Sequence, residues 1–176
     1  GAKLSTHLGN GTRSELSKNN NPIISQLSED KLSASFIADG YHLSPEVLKV
    51  YLRAKESQRT ILITDATAWA AAEPGIYQLG DLELFLESES VVYNKKTSRP
   101  TGSAVTLDQC VRNVMQWYKV PLDEAVTWAG FNPMQLLKSS KASKTFTEHD
   151  NSVWWEENEG EWYVKAVRCG KFLYQS

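Results

Sequence analysis

Between Leu4 and Asp65 the spacing of apolar residues changes period repeatedly, from two residues to between three and four and back. Short β-like runs fall at 34–38 and 60–64, and a first one starts at Leu4. Between them, Ile23, Ile24 and Leu27 predict a helix over 22–31, opened by Pro22. A second helix starts at Ser44-Pro45-Glu46, which supplies a serine cap, a proline in the first turn and a carboxylate toward the positive end of the dipole. Val47, Leu48, Tyr51, Leu52 and Ala54 mark its inner face. Strand, helix, strand, helix, strand implies parallel pairing with crossover helices.

Beyond Asp65 the pattern breaks into short strands with turn residues, at 75–79, 83–86 and 91–94, a β excursion over about 73–98. The helical period resumes at Thr106-Leu107-Asp108-Gln109, which fits a capping box, with Leu107, Val111, Val114, Met115 and Tyr118 on one face. A helix at 122–129 and another opened by Asn132-Pro133 complete a helical cluster over 106–138. After a polar tail at 139–147, two aromatic-rich strands at 152–156 and 162–167 flank the turn Asn158-Glu159-Gly160, and a last strand covers 171–174. The expected organisation is a partial α/β barrel over 1–138 and a small β appendage over 139–176.

Composition narrows the function. With 176 residues and 41% hydrophobic content, the chain is long enough to bury a core. A net charge of -2 without a Lys/Arg block argues against nucleic acid as a partner. No apolar run approaches the roughly 20 residues a membrane span requires, so a soluble, cytoplasmic protein is expected. Cys110 and Cys169 form no framework and read as two small buried hydrophobes. Trp154, Trp155 and Trp162 read as the core of the appendage rather than a ligand platform, and His149 as a solvated residue without a role.

Each of the first three strands ends on equipped residues: Thr6-His7-Leu8-Gly9-Asn10, Asp39-Gly40-Tyr41-His42 and Thr64-Asp65-Ala66. Their recurrence is close to the roughly 30 residues of one strand-helix unit of an eight-fold barrel, whose chemistry sits at the C-terminal strand ends. Two histidines and an aspartate there point to a metal-assisted rim. Each residue also has a structural reading. His7 is a metal ligand, a polar contact or a hydrogen-bond partner of a neighbouring loop. Asp39 and His42 are a turn aspartate and a surface histidine on that reading. Asp65 emerges from a buried strand and needs a partner; it is a cap or a general base beside a metal-bound water.

As an ordered set, these strand ends resemble the later part of the N-acetylglucosamine-6-phosphate deacetylase family of the amidohydrolase superfamily. Thr6-His7-Leu8-Gly9-Asn10-Gly11, Ile37-Ala38-Asp39-Gly40-Tyr41-His42, Thr64-Asp65-Ala66, Thr101-Gly102-Ser103-Ala104-Val105-Thr106-Leu107-Asp108 and Val111-Arg112-Asn113 carry the likeness. It continues through Leu122-Asp123-Glu124-Ala125 and Asn132-Pro133 and covers most of residues 5–137.

The resemblance implies the C-terminal part of a TIM-type (β/α)8 metal-dependent hydrolase that removes acetate from an amino-sugar phosphate. On that reading His7 is a ligand of a divalent metal, zinc or iron, and Asp65 takes a proton from the activated water and returns it to the leaving amine. His42 contacts the substrate near the reacting carbonyl. Asn10, Gly11, Asp39, Gly40 and the backbone of Pro100, Thr101 and Gly102 line the sugar and phosphate pocket.

The family's first barrel half, with a glutamate and a further histidine as ligands, is missing, so the expected partner is that N-terminal half of the same protein. Gly1-Ala2-Lys3-Leu4 reads as a cut on this view. Asn20 stands where the family places a phosphate-binding arginine, with Arg13 and Lys18 as nearby cations. The glycine-lysine-alanine-aspartate stretch that leads into the family's β domain is not recognisable before Val153. Two other readings compete: a non-catalytic half-barrel that binds a partner or forms a homo-oligomer through its open strand edges, and an amidohydrolase for another amide or a cyclic imide.

Overall fold

The strand β2 (Ser33–Ile37) is buried along its whole length, and its position between two parallel neighbours explains why. It pairs with β1 (Leu4–Ser5) on one side and β3 (Thr60–Ile63) on the other, with Leu4 opposite Ser33, Ala34 opposite Thr60 and Ile37 opposite Ile63. All three strands therefore end on the same side. The computed structural model describes residues 1–13, 15–70, 72–88, 91–98, 100–138 and 151–175. They divide into two units, Gly1–Pro133 and Met134–Ser176.

The crossover from β1 to β2 carries α1 (Pro22–Leu27), capped by the Asn21 side chain, which accepts from the Ile23 and Ile24 amides. It stops short of the predicted 31. The buried Lys55 amine donates to the Gln26 and Glu29 carbonyls at 2.9 Å each and so satisfies groups that continuation would have used. The second crossover is α2 (Pro45–Ala54), with Ser44 capping the Val47 amide as expected. Its buried side is narrower than its apolar pattern, because only Leu48 is fully enclosed while Val47 and Ala54 face solvent.

A second sheet holds β4 (Gly75–Leu79), β5 (Leu82–Ser88), β6 (Val91–Asn94) and β7 (Pro100–Ser103), all antiparallel and in chain order. Leu84, Leu86, Val92 and Ala104 form its core, with Trp69, Ala72 and Tyr77 packed against them. The last strand lies beyond the β excursion expected over about 73–98. It forms because the edge of β6 accepts it, with Tyr93 opposite Pro100 and Val91 opposite Ser103.

The chain then forms α3 (Leu107–Tyr118), where the capping box is not made. The Thr106 hydroxyl turns to the Asp108 carboxylate, and Gln109 bonds Arg112 and Asn113 instead of reaching back. Its buried residues are Cys110, Val111, Asn113 and Val114, whereas the predicted Leu107 is 39% exposed. α4 (Leu122–Val126) does not break before Asn132; it passes through a π-helical turn, Thr127–Phe131, into α5 (Asn132–Lys138). The extra residue per turn aims two side chains at the entry to β3. The Trp128 indole donates to the Ser57 hydroxyl at 2.7 Å, and the Asn132 amide donates to the Ser57 and Thr60 carbonyls.

The second unit contains an antiparallel sheet of β8 (Asn151–Asn158), β9 (Glu161–Cys169) and β10 (Phe172–Gln175). Glu159 and Gly160, both at positive φ, make the tight turn. The tryptophans are not a closed core. Among the sheet's described residues only Ala166 is buried, and Trp154 is 42% exposed with the Arg168 guanidinium 5.7 Å above its ring. The expectation of two buried cysteines also fails at Cys169, which is exposed, while Cys110 is buried. The polar tail at 139–147 and His149 lie outside the described residues. No helix among the described residues is long and apolar enough to cross a membrane.

Candidate functional site

Parallel register brings the three equipped segments to one edge of the first unit. At the end of β2 the turn Asp39-Gly40-Tyr41-His42 closes on its own aspartate, whose Oδ1 accepts the Tyr41 and His42 amides at 2.9 Å each. Oδ2 lies 2.6 Å from His42 Nδ1, and the two side chains are 0% and 7% exposed. The surface-histidine reading is thereby overturned. The Asp39 carboxylate is enclosed, with Oδ1 committed to the turn amides and Oδ2 to His42, as the turn-aspartate reading has it. Gly40, at φ 80, lies against Trp117; a Cβ there would sit 3.3 Å from the indole.

Helix α3 braces this edge from behind. Asn113 donates to the Ala38 carbonyl at 2.7 Å, and the Cys110 thiol lies 3.7 Å from the Ile63 carbonyl. Burial pushes the Cys110 thiol up to about 12, so it is a neutral packing group here. Sequence reasoning gave no place at the site to Asn113, Cys110 or Trp117. A polar Asn113 inside an otherwise apolar stripe was the available signal.

The end of β1 is held by Ser35 of β2, whose hydroxyl accepts the His7 amide at 2.9 Å and whose carbonyl accepts the Leu8 amide at 2.9 Å. His7 itself sits at φ 31, a left-handed conformation uncommon outside glycine and asparagine. Gly11 folds back so that a Cβ there would lie 3.9 Å from the His7 ring. His7 Nδ1 and Asn10 Nδ2 are buried without a hydrogen-bond partner among the described residues. Arg13, Lys18 and Asn20 are exposed on the loop that follows.

At the end of β3, Asp65 turns at φ 50 and is exposed, contrary to the expectation of a buried carboxylate that needs a partner. Its backbone is anchored by β7: the Ser103 amide donates to the Asp65 carbonyl at 3.1 Å, and the Thr67 amide donates to the Ser103 carbonyl at 2.8 Å. The Ser103 hydroxyl donates to the Thr64 carbonyl. Gly102 closes this contact at φ 104, and an added Cβ would come within 2.5 Å of the Thr67 methyl and 3.3 Å of the Asp65 carbonyl. The structure therefore brings Gly102 beside Asp65. Tyr93 lies on β6, opposite Pro100 of β7. Burial, followed by the charges of Glu87, Tyr41 and Asp39, holds its phenol above the usual value.

The arrangement offers a free carboxylate, an oriented imidazole and a small-residue loop with unsatisfied polar atoms. It does not offer a metal site by itself. Among the described residues no three His, Cys, Asp or Glu side chains gather closely enough to hold an ion, so His7 is not part of a complete ligand set there.

No family model matches the chain. Curated relatives named N-acetylglucosamine-6-phosphate deacetylase do match: one from Vibrio furnissii is 30% identical over 137 residues, 78% of this chain and 34% of its own length. Others from Lysinibacillus sphaericus and Homo sapiens are each 31% identical, over 85% and 70% of this chain and 38% and 31% of their own. The chain spans about a third of the length of these relatives. Solved structures of the same enzyme superpose over nearly all of it. The one from Thermotoga maritima has a TM-score of 0.81 at 22% identity, covering 99% of this chain and 47% of that one. One from Mycobacterium smegmatis was solved in complex with N-acetyl-D-glucosamine-6-phosphate, with a TM-score of 0.80 at 24% identity, and covers 98% and 45%.

Proposed function

From its similarity to N-acetylglucosamine-6-phosphate deacetylases over about a third of their length, we propose that this chain is the C-terminal part of such an enzyme. Its three parallel strands are then the last strand-helix units of a (β/α)8 barrel. The observation that carries the reading is the common edge at which His7, the Asp39–His42 pair and Asp65 follow β1, β2 and β3. The unpartnered, buried Nδ1 of His7 supports a site completed by groups from the rest of the enzyme. The family's divalent metal, zinc or iron, would have His7 as one ligand, and the described residues cannot hold it alone.

Hydrolysis of an acetamide needs a proton taken from water and a proton given to the amine, because a free amide anion is too poor a leaving group. Asp65 suits both tasks, since it is exposed and its backbone is fixed by Ser103. His42 lies near the acyl carbonyl, while Asn10, Gly11, Gly40 and the Pro100, Thr101 and Gly102 backbone surround the sugar phosphate. Arg13 or Lys18 supplies the cation for the phosphate in place of the arginine that Asn20 replaces. A cytoplasmic setting follows from that substrate.

The test compares acetate release from N-acetylglucosamine 6-phosphate and from the unphosphorylated sugar, using the longest gene product that contains this chain. A strong preference for the phosphate is expected, and equal rates would remove phosphate recognition from the account. A second reading, a non-catalytic module that binds or oligomerises through its strand edges, draws support from the missing donor group. It predicts no acetate release from either sugar.

A further inference from the structure

Asp39 has no oxygen to offer a ligand. Two amides occupy Oδ1, the His42 ring occupies Oδ2 at 2.6 Å, and no part of the side chain is exposed. Two backbone N–H groups already point at this carboxylate and a carboxylate serves as an acceptor, so a hydrogen on His42 Nδ1 is what completes the short contact. Asn113 fixes the same turn from the other side by holding the Ala38 carbonyl, and the Trp117 ring packs against Gly40. The ring orientation of His42 is therefore set by protein alone, before any ligand arrives.

We propose that Asp39 is a positioning residue and not a substrate contact: it fixes His42 with Nδ1 protonated, so that Nε2 is the atom presented to the ligand. The identity of that ligand rests on the deacetylase reading, but the fixed tautomer does not. An asparagine at 39 tests the idea sharply. Its carbonyl oxygen can keep both turn amides, while its NH2 group replaces the Oδ2 acceptor and donates toward Nδ1, driving the ring proton to Nε2.

Long-range 1H–15N NMR of the histidine-labelled protein reads the tautomer directly. The wild type should show His42 protonated at Nδ1 at neutral pH, and Asp39→Asn should reverse it. In deacetylation of N-acetylglucosamine 6-phosphate, Asp39→Asn should lower kcat by roughly 100-fold with little change in KM. His42→Asn should cost a similar factor, and the double variant should cost no more than either single one, as expected for two residues acting as a unit. A wild-type His42 without a proton on Nδ1, or an Asp39→Asn variant that only raises KM, would overturn the proposal. A wild-type protein that fails to deacetylate would sink the deacetylase reading, and the tautomer would still decide this one.

Discussion

Two neighbouring strand ends solve the same polar problem in opposite ways. After β2, Asp39 pairs with two amides and His42, and Asn113 pairs with the carbonyl just before it. After β1, the backbone is just as well held by Ser35, yet His7 Nδ1 and Asn10 Nδ2 are buried and unpartnered among the described residues. An unpaired buried polar group costs about 1–3 kcal/mol, so the β2 end contributes to stability while the β1 end draws on it. A fold tolerates such a cost where the groups serve something other than folding. The contrast separates residues that build the edge from residues that wait on it.

Substitution should expose that difference. Asp39→Ala strands two amides and a ring N–H, and should lower unfolding free energy by roughly 3 kcal/mol in urea melts. His7→Asn, which suits the left-handed backbone and exchanges one unpaired polar side chain for another, should change it by only about 0.5 kcal/mol or less. Equal losses would erase the distinction. The next effect belongs to the third strand end. Gly102→Ala combines positive φ with a Cβ 2.5 Å from the Thr67 methyl, and should cost about 2 kcal/mol while displacing Asp65. A variant as stable as wild type would mean that the β7 contact does not set the Asp65 backbone.

The smallest effect concerns the helix behind the site. Burial pushes the Asp108 carboxyl up, but the Thr106 hydroxyl and the Arg112 guanidinium, 2.6 Å away, outweigh it and hold the group below its usual value. Its contribution to stability is therefore present above the unfolded value and fades as pH falls through the lower folded one. Asp108→Asn should lower stability by a constant amount above the unfolded value and bring the two profiles together as pH falls through the folded one; a profile parallel to the wild type at every pH would show that Arg112 does not matter there.

What could be read in the sequence was local. Pro22 and Ser44 announced their helices, and the Val47 amide finds its cap where the serine predicted it. The strand ends carried their chemistry in contiguous motifs. Tertiary decisions were hidden. Nothing in Pro100-Thr101-Gly102-Ser103 reveals a strand, because its extended pairing comes from the edge offered by 91–93 and not from its own side chains. The length of α1 depends on Lys55, and the continuity of α4 through Gly130 depends on where Trp128 and Asn132 find partners. The tryptophans of β8 and β9 misled because alternation reports which face a residue occupies, not whether that face is covered.

The account turns on Asp65, the residue at this edge that neither builds the fold nor lacks solvent. The decisive measurement is acetate release from N-acetylglucosamine 6-phosphate by the longest gene product, wild type against Asp65→Asn, with metal content and melting temperature measured on both. The account predicts turnover in the wild type, a loss of about 1000-fold in the variant, and unchanged metal and stability. Retained turnover in Asp65→Asn would contradict it.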